Sequence, residues 1–320
     1  MMHASLRIAV LMGGPSGEHE VSLKSGHGVV EALTRRRWPV EPIVIPKACT
    51  AEEACEAARR ALLASGADVA FLALHGPFGE DGTIQSLCEE LQLAYTGSTA
   101  RASRLGIDKA VSRQRFAAMG LAVPRWEVVE LSAAPIRVTR CAYPLVVKPV
   151  SQGSSLGVSI VHQEAQLPAA LAEAGRYGSR ILIEEFVAGR EVTVGVLGEE
   201  PLPVVEIRPT HPFFDYTAKY TPGCTEYLVP APLAQELAAS IQAAGLAAHR
   251  ALGCRHLSRT DLILRPDGVP VVLEVNTIPG LTPTSLLPKA AACVSLCYEE
   301  LCEQLVLMAA HGASHAASPR

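Results

Sequence analysis

Apolar and polar positions follow two rhythms along this chain. In the first third, short apolar runs at 6–12, 40–45 and 68–74 are separated by stretches at 21–35 and 50–63 with helical spacing. Apolar runs that alternate with amphipathic helices are the mark of βαβ units, so a parallel sheet with crossover helices is expected here. In the middle third, the pattern predicts a helix over 108–119 and strands over 144–149, 157–161 and 181–185, separated by a Gly/Ser loop and a helix. Strands at 192–197 and 202–207 are joined by Gly198-Glu199-Glu200-Pro201, a hairpin signal. Strands at 257–264 and 269–275 flank Arg265-Pro266-Asp267-Gly268, a stronger one. Between the hairpins, residues 208–232 are polar and carry Pro, Gly and aromatic side chains. A connection that long in a compact protein is expected to be a functional lid or to be disordered. An alanine-rich amphipathic helix over 233–252 and a long helix over 284–309 follow, with 311–320 frayed.

Composition narrows the function classes. A chain of 320 residues holds two or three domains, and 49% hydrophobic content supplies a sizeable core. Basic and acidic side chains number 28 and 32, a formal net charge of −4, with no basic run. That balance leaves no electrostatic footprint for nucleic acid or for a membrane surface. No apolar run reaches the ~20 residues of a membrane span, and the first ten residues do not read as a secretory signal. The nine cysteines are scattered, with no C-x-x-C pair. They read as thiols that pack as small hydrophobes rather than as metal ligands, and they suit a reducing, cytoplasmic compartment.

The last hairpin carries the most chemistry. Arg259 and Asp261 are two apart on one strand, and Glu274 and Asn276 are two apart on its partner. Residues i and i+2 of a strand point to the same face, so each strand presents a polar pair where its neighbours are apolar. Two carboxylates and an amide oxygen are hard ligands suited to Mg²⁺, although a solvated face with cross-strand salt bridges would show the same alternation. Asn276-Thr277-Ile278-Pro279-Gly280 then adds a turn where a backbone N–H can approach a ligand.

Two further motifs stand out. Lys148-Pro149-Val150-Ser151-Gln152-Gly153-Ser154-Ser155-Leu156-Gly157 places a lysine at the end of an apolar strand, before a Gly/Ser loop. Such a loop can turn backbone N–H groups toward phosphate, although it is not a Walker A motif and a plain flexible turn would look alike. His75-Gly76-Pro77-Phe78-Gly79-Glu80-Asp81-Gly82 follows the third strand, and the cluster Glu18-His19-Glu20 follows the first. Both lie at the carboxyl edge of the expected parallel sheet, where open α/β sheets bind ligands. Glu20, near a helix start, could equally serve the helix dipole.

Together these motifs resemble those of the D-alanine–D-alanine ligase family of ATP-grasp enzymes. The resemblance runs from Ile8 to about Leu305 and rests on two signatures, the stretch from His75 to Gln85 and the pair Arg259-Thr260-Asp261 with Glu274 to Gly280. Phe214 to Tyr220 resembles the family's mobile loop, and Thr284-Ser285-Leu286-Leu287-Pro288 its acceptor-binding segment. Ser258 and Thr260 depart from the usual glycine and aliphatic residue without touching a charged position. The segment between Glu130 and Tyr143 is short for the family.

The resemblance implies an α/β, ATP-grasp fold with an N-terminal Rossmann-like parallel-sheet domain and a mixed or antiparallel C-terminal sheet. Its divisions would be residues 1–107, 108–190 and 191–320. It implies that Glu20 holds the ammonium of the first D-alanine, and that Lys109, Lys148, Ser154 and Ser155 contact ATP phosphates. Glu184, Glu191 and the backbone of Val187 would read adenine and ribose, and Lys219 would reach the γ-phosphate. Asp261, Glu274 and Asn276 would hold two Mg²⁺ or Mn²⁺ ions. Arg259 and the Gly280 N–H would stabilise an oxyanion, while Ser285 and Leu286 bind the second carboxylate near His75. Glu20, Ser154 and Tyr220 would form a hydrogen-bonded link over the site. The substrates would be ATP and D-alanine, the assembly a homodimer, and the product a peptidoglycan precursor.

Other readings are open at this stage. A related ligase could make D-alanyl-D-lactate or D-alanyl-D-serine; Tyr220 resembles the D-alanine-specific pattern. A nicotinamide dehydrogenase is disfavoured because Gly13-Gly14-Pro15-Ser16-Gly17 lacks G-x-G-x-x-G and no acidic residue follows Ile45 for a ribose. A non-catalytic ATP-binding protein is disfavoured because the charged positions are all present.

Overall fold

The computed structural model describes residues 6–132, 136, 138–209 and 225–316. Its first sheet is parallel, in the order β2-β1-β3-β4, with β1 (Ile8–Gly13) paired to β2 (Val40–Ile45) and to β3 (Val69–Leu72), and β4 (Ala94–Tyr95) added beyond β3. Every residue of β1 is buried, which is why it reads as an unbroken apolar run. Helices α1 (His19–Arg35), α2 (Ala51–Ser65) and α3 (Thr83–Glu90) make the connections. The start of α2 is set locally: Thr50 and Glu53 close a reciprocal capping box. A two-residue strand and an eight-residue helix are too short to show a rhythm, so β4 and α3 were not legible beforehand.

Helices α4 (Ala100–Ile107) and α5 (Lys109–Ala118) meet at Asp108, whose carboxylate accepts the Ala110 and Val111 N–H groups and so starts α5. An antiparallel sheet follows in the order β5-β8-β6-β7, built from β5 (Trp126–Glu130), β6 (Leu145–Pro149), β7 (Ser159–Val161) and β8 (Arg180–Glu185). Helix α6 (Leu167–Gly175) covers one face through Leu171 and Ala174.

The third sheet comprises β9 (Arg190–Leu197), β10 (Glu200–Pro201), β11 (Val205–Pro209), β12 (Thr225–Leu228), β13 (Leu257–Leu264) and β14 (Pro270–Asn276). It is antiparallel, in the order β12-β11-β9-β13-β14, with β10 on β9. Helix α7 (Gln235–Leu252) packs on it closely: a Cβ on Gly245 would lie 2.8 Å from the Val194 Cβ.

Two expectations need correction. The segment 208–232 is not a free connection throughout, because β11 carries the sheet to Pro209 and β12 resumes it at Thr225. Residues 210–224, including Lys219 and Tyr220, lie outside the described residues. The single C-terminal helix is two, α8 (Leu286–Ala292) and α9 (Tyr298–Ala316), separated where Ser295 adopts a φ of +63°. Helix α9 returns to the first sheet, where Leu301, Cys302 and Leu305 share a core with Val10 and Phe71. Cys302 thus packs as a small hydrophobe, as expected of the cysteines, whereas Cys293 and Cys297 between the two helices are exposed and do not. No helix among the described residues is long and apolar enough to cross a membrane.

Candidate active site

Two adjoining cavities, about 630 and 580 Å³, open between the sheets and share Lys109, Gly153, Ile207, Asp261 and Glu274 as walls. The implied roles sort between them. His75, Ser154, Arg259, Asn276, Gly280, Ser285 and Leu286 line the first. Lys148, Ser155, Glu184, Val187 and Glu191 line the second.

The junction is built by the β13–β14 hairpin. Asp261 is registered opposite Glu274, and Arg259 opposite Asn276, so the two i, i+2 pairs become one patch. Arg259 donates twice to Asp261, Nε–Oδ1 at 2.8 Å and Nη2–Oδ2 at 2.7 Å, and the Thr193 hydroxyl lies 2.6 Å from Oδ1. The Lys109 ammonium stands 3.1 Å from Glu274 and donates to the Gln152 carbonyl at 2.7 Å. Asn276 Oδ1 accepts the Ile278 N–H at 3.1 Å. Two carboxylates facing each other across a ladder, with an amide oxygen on the same face, are a donor set that fits Mg²⁺ or Mn²⁺ completed by substrate oxygens. The described residues hold no cluster of three His, Cys, Asp or Glu side chains that could form an all-protein metal cage.

In the second cavity, Lys148 Nζ lies 2.7 Å from Glu184 Oε1, and Arg113 donates to the other carboxylate oxygen. Burial pulls the Lys148 ammonium below the usual lysine range; Glu184 opposes this and Arg113 adds to it. The Gly/Ser loop runs along both cavities, with Ser154 and Ser155 at φ values of +51° and +57°. Left-handed backbone at two successive non-glycine residues is costly and concentrates at functional sites.

The first cavity corrects one assignment. The Ser154 hydroxyl donates to Glu18, not to Glu20. Glu18 lines the cavity and packs on Gly76, where a Cβ would come within 2.7 Å of Glu18 Oε2. Glu20 points to solvent with its side chain 70% exposed, 3.9 Å from Lys47. It lies in the first turn of α1, so it keeps the helix-dipole role. The adjacent His19 is held elsewhere, its Nδ1 2.7 Å from the Gly14 carbonyl. The expected link through Tyr220 falls outside the described residues.

The far wall is a tight loop. Ser285 Oγ accepts the Thr282 N–H at 3.1 Å and sits 3.0 Å from where a Cβ on Gly280 would be. Tyr298 of α9 anchors this loop by donating to the Leu281 carbonyl at 2.6 Å. His75 is buried, with Nε2 3.0 Å from Ser25 Oγ and Nδ1 3.2 Å from the Ile278 carbonyl and 3.5 Å from Glu80. Burial raises the Glu80 carboxyl above its ordinary range, against the hydrogen bond from His75. Sequence reasoning passed over Glu80, Lys24 and Lys289, which also line the first cavity. Only Glu80 carried a signal, its place within the His75 motif.

A nucleotide-sized cavity between two antiparallel sheets, with buried lysine and paired carboxylates at its inner end, defines an ATP-grasp enzyme. The sequence profile for the D-ala D-ala ligase C-terminus matches residues 116–307, and that for the N-terminus matches 7–61 and 48–98. The D-alanine–D-alanine ligase of Syntrophotalea carbinolica is 45% identical over 300 residues, 94% of this chain and 95% of that protein. The ligase of the same name from Anaeromyxobacter sp. (strain Fw109-5) is 43% identical over 308 residues, 94% of this chain and 96% of that protein. The solved D-alanine–D-alanine ligase from Bacillus anthracis complexed with ATP superposes with a TM-score of 0.82 at 30% identity, over 98% of this chain and 100% of that one. The VanG D-Ala:D-Ser ligase from Enterococcus faecalis gives 0.79 at 29% identity, over 95% and 99%. The chain belongs to the D-alanine–D-alanine ligase family and is a ligase.

Proposed function

We propose that the chain joins two D-alanine molecules into D-alanyl-D-alanine, with cleavage of ATP to ADP and phosphate, as a step of peptidoglycan precursor synthesis. The observation that carries this is the meeting of the two cavities at Lys109, Asp261 and Glu274. A nucleotide in the second cavity, its adenine edge toward Glu184 and its ribose toward Glu191, brings its terminal phosphate to that junction. An amino acid in the first cavity brings its carboxylate to the same place from the other side. Glu18 takes the ammonium of the first D-alanine, the role first given to Glu20.

The carboxylate of the first D-alanine attacks the γ-phosphorus and releases ADP, giving D-alanyl phosphate. The amine of the second D-alanine, its carboxylate held at Ser285 and Leu286, attacks the acyl carbon. Arg259 and the Gly280 N–H stabilise the oxyanion as phosphate leaves. Both steps bring anions together, so the chain supplies positioning and positive charge, from Lys109, Lys148 and Arg259. Two Mg²⁺ or Mn²⁺ ions at Asp261, Glu274 and Asn276 would neutralise phosphate charge. Lys219, from the segment 210–224, completes the phosphate contacts in this reading. We place the enzyme in the cytoplasm, as a homodimer.

Phosphate release with ATP and D-alanine, with the product separated by chromatography, tests the proposal. D-alanyl-D-alanine is expected as the main product when D-alanine and D-lactate are supplied equally at neutral pH. Predominance of the ester, or no phosphate release that depends on D-alanine, would overturn it.

A further inference from the structure

Arg113 is the largest fully buried side chain among the described residues, at 0% exposure, and none of the roles above uses it. It lies one turn after Lys109 on α5, so the two cations share a face of that helix. Lys109 works at the mouth of the junction. Arg113 works behind it, and its guanidinium joins the two sheets that enclose the second cavity. One nitrogen, Nη2, donates to Glu184 of β8. The other, Nη1, donates to the Val272 carbonyl of β14 at 3.2 Å. Its Nε is buried with no hydrogen-bond partner among the described residues.

One end of this bridge, Glu184, lines the second cavity, and the other, Val272, adjoins Leu273, which does. Glu184 Oε1 already faces Lys148 at 2.7 Å, so the carboxylate carries one cation on each oxygen. A carboxylate has about four acceptor positions, which leaves room for a donor from a base. At the other end, the β13–β14 pairing jumps from Asp261–Glu274 to Leu262–Val272, and Leu273 bulges into the cavity wall. Val272 is held on its outer side by α5 and the chain after it: its carbonyl takes Arg113, and its N–H donates to the Ala122 carbonyl at 2.8 Å. The bulge sets the direction of Glu274, the next residue along β14, so the residues that fix it also bear on the junction.

We propose that Arg113 is a positioning residue for nucleotide selection, holding the base-reading edge at Glu184 and the Leu273 bulge in one frame. This rests on the reading that the second cavity takes ATP with its adenine toward Glu184. The fork matters as well as the charge. A planar guanidinium reaches acceptors on two sheets at once, whereas a lysine is a single point. Without Arg113, Glu184 keeps only Lys148 as its counter-charge. It is then drawn toward the lysine needed by the phosphates and is free to turn from the base.

The test uses the full-length enzyme, with R113M, R113K and E184Q checked for folding by thermal melting. KM for ATP, KM for D-alanine, kcat and the ATP-over-GTP ratio of kcat/KM are measured for each. R113M is expected to raise KM for ATP about tenfold, the effect of one lost hydrogen bond to a charged group. It should also lower the ATP-over-GTP ratio while KM for D-alanine stays near wild type. R113K keeps the charge and should recover the ratio, with KM for ATP still raised roughly threefold by the lost Val272 bond. A parallel rise in both KM values, or an unchanged ATP KM and ratio in folded R113K and R113M, would overturn the proposal. If R113M does not fold, R113K decides: an unchanged ATP KM overturns it and a selective rise supports it. E184Q separates the two readings. An unchanged ratio there removes the base from Glu184; a lowered ratio there, with R113M unaffected, removes only Arg113.

Discussion

The Lys109 ammonium of α5 stands 3.1 Å from the Glu274 carboxylate of β14, on the wall common to both cavities. The helix before the second sheet and the last strand of the third thereby meet at the junction where the proposed reading puts the terminal phosphate. Lys109 is buried and Glu274 only partly so, with side-chain exposures of 9% and 30%. The pair is therefore less screened by water than a surface bridge.

Glu274→Gln keeps the shape of the side chain and removes its charge. Turnover should fall by at least about a hundredfold, roughly 2.7 kcal/mol of transition-state stabilisation, with little change in melting temperature. Steady-state assays over a Mg²⁺ series check this. Turnover within about tenfold of wild type at any Mg²⁺ concentration would remove Glu274 from the proposed metal site.

Glu18 and Glu20 differ by two positions and should differ sharply in effect. Glu18→Gln removes the charge that faces the cavity and accepts from Ser154. KM for the first D-alanine should rise by roughly tenfold or more, as for loss of a charged hydrogen-bond partner. Glu20→Gln alters a solvent-facing side chain and should leave both KM and kcat near wild type. The reverse ranking would restore Glu20 to the substrate.

His256 supplies a pH signature. It sits at a φ of +61°, and its Nδ1 accepts the Gly97 N–H at 3.1 Å, which requires a neutral ring. Burial, helped by the neighbouring Arg255, lowers its pKa to about 4. Its unfolded value is near 6.5, so between these two values the unfolded chain binds a proton that the native protein does not. Stability contributed by the neutral ring is present above about pH 6.5 and is lost as pH falls toward 4, by about 3 kcal/mol at most. His256→Asn, which tolerates a left-handed backbone, should be less stable at neutral pH and lose less over that range. Urea melts of both proteins across the interval would show converging midpoints; parallel curves would contradict the assignment.

Helix α1 approaches β1 closely at Gly26, where a Cβ would lie 2.5 Å from the Met12 Cβ. Gly26→Ala gains in helix propensity, but the overlap is with a side-chain root that cannot swing away. A net loss of about 1–3 kcal/mol is expected, as for other overpacked cores. Unchanged or increased stability in a denaturant titration would show that α1 can lift off the sheet freely.

The junction chemistry was legible along the chain because its rules are local. Alternation along a strand put Arg259 with Asp261 and Glu274 with Asn276, and the turn at Arg265–Gly268 brought the two strands into register. Helices α1, α2, α5 and α7 likewise followed from the spacing of apolar positions, which acts within a turn or two. What depends on distant partners was not legible. Glu18 and Glu20 look alike at a helix start, and only the approach of Ser154, 136 positions away, shows which one enters the cavity. The break at Ser295 depends on α9 docking back onto the first sheet, a contact between chain ends. Arg113 reads as an ordinary cation on a polar helix. It becomes the bridge between two sheets only because folding buries it against Glu184 and Val272, since a charge can be taken from water only where partners are already in place.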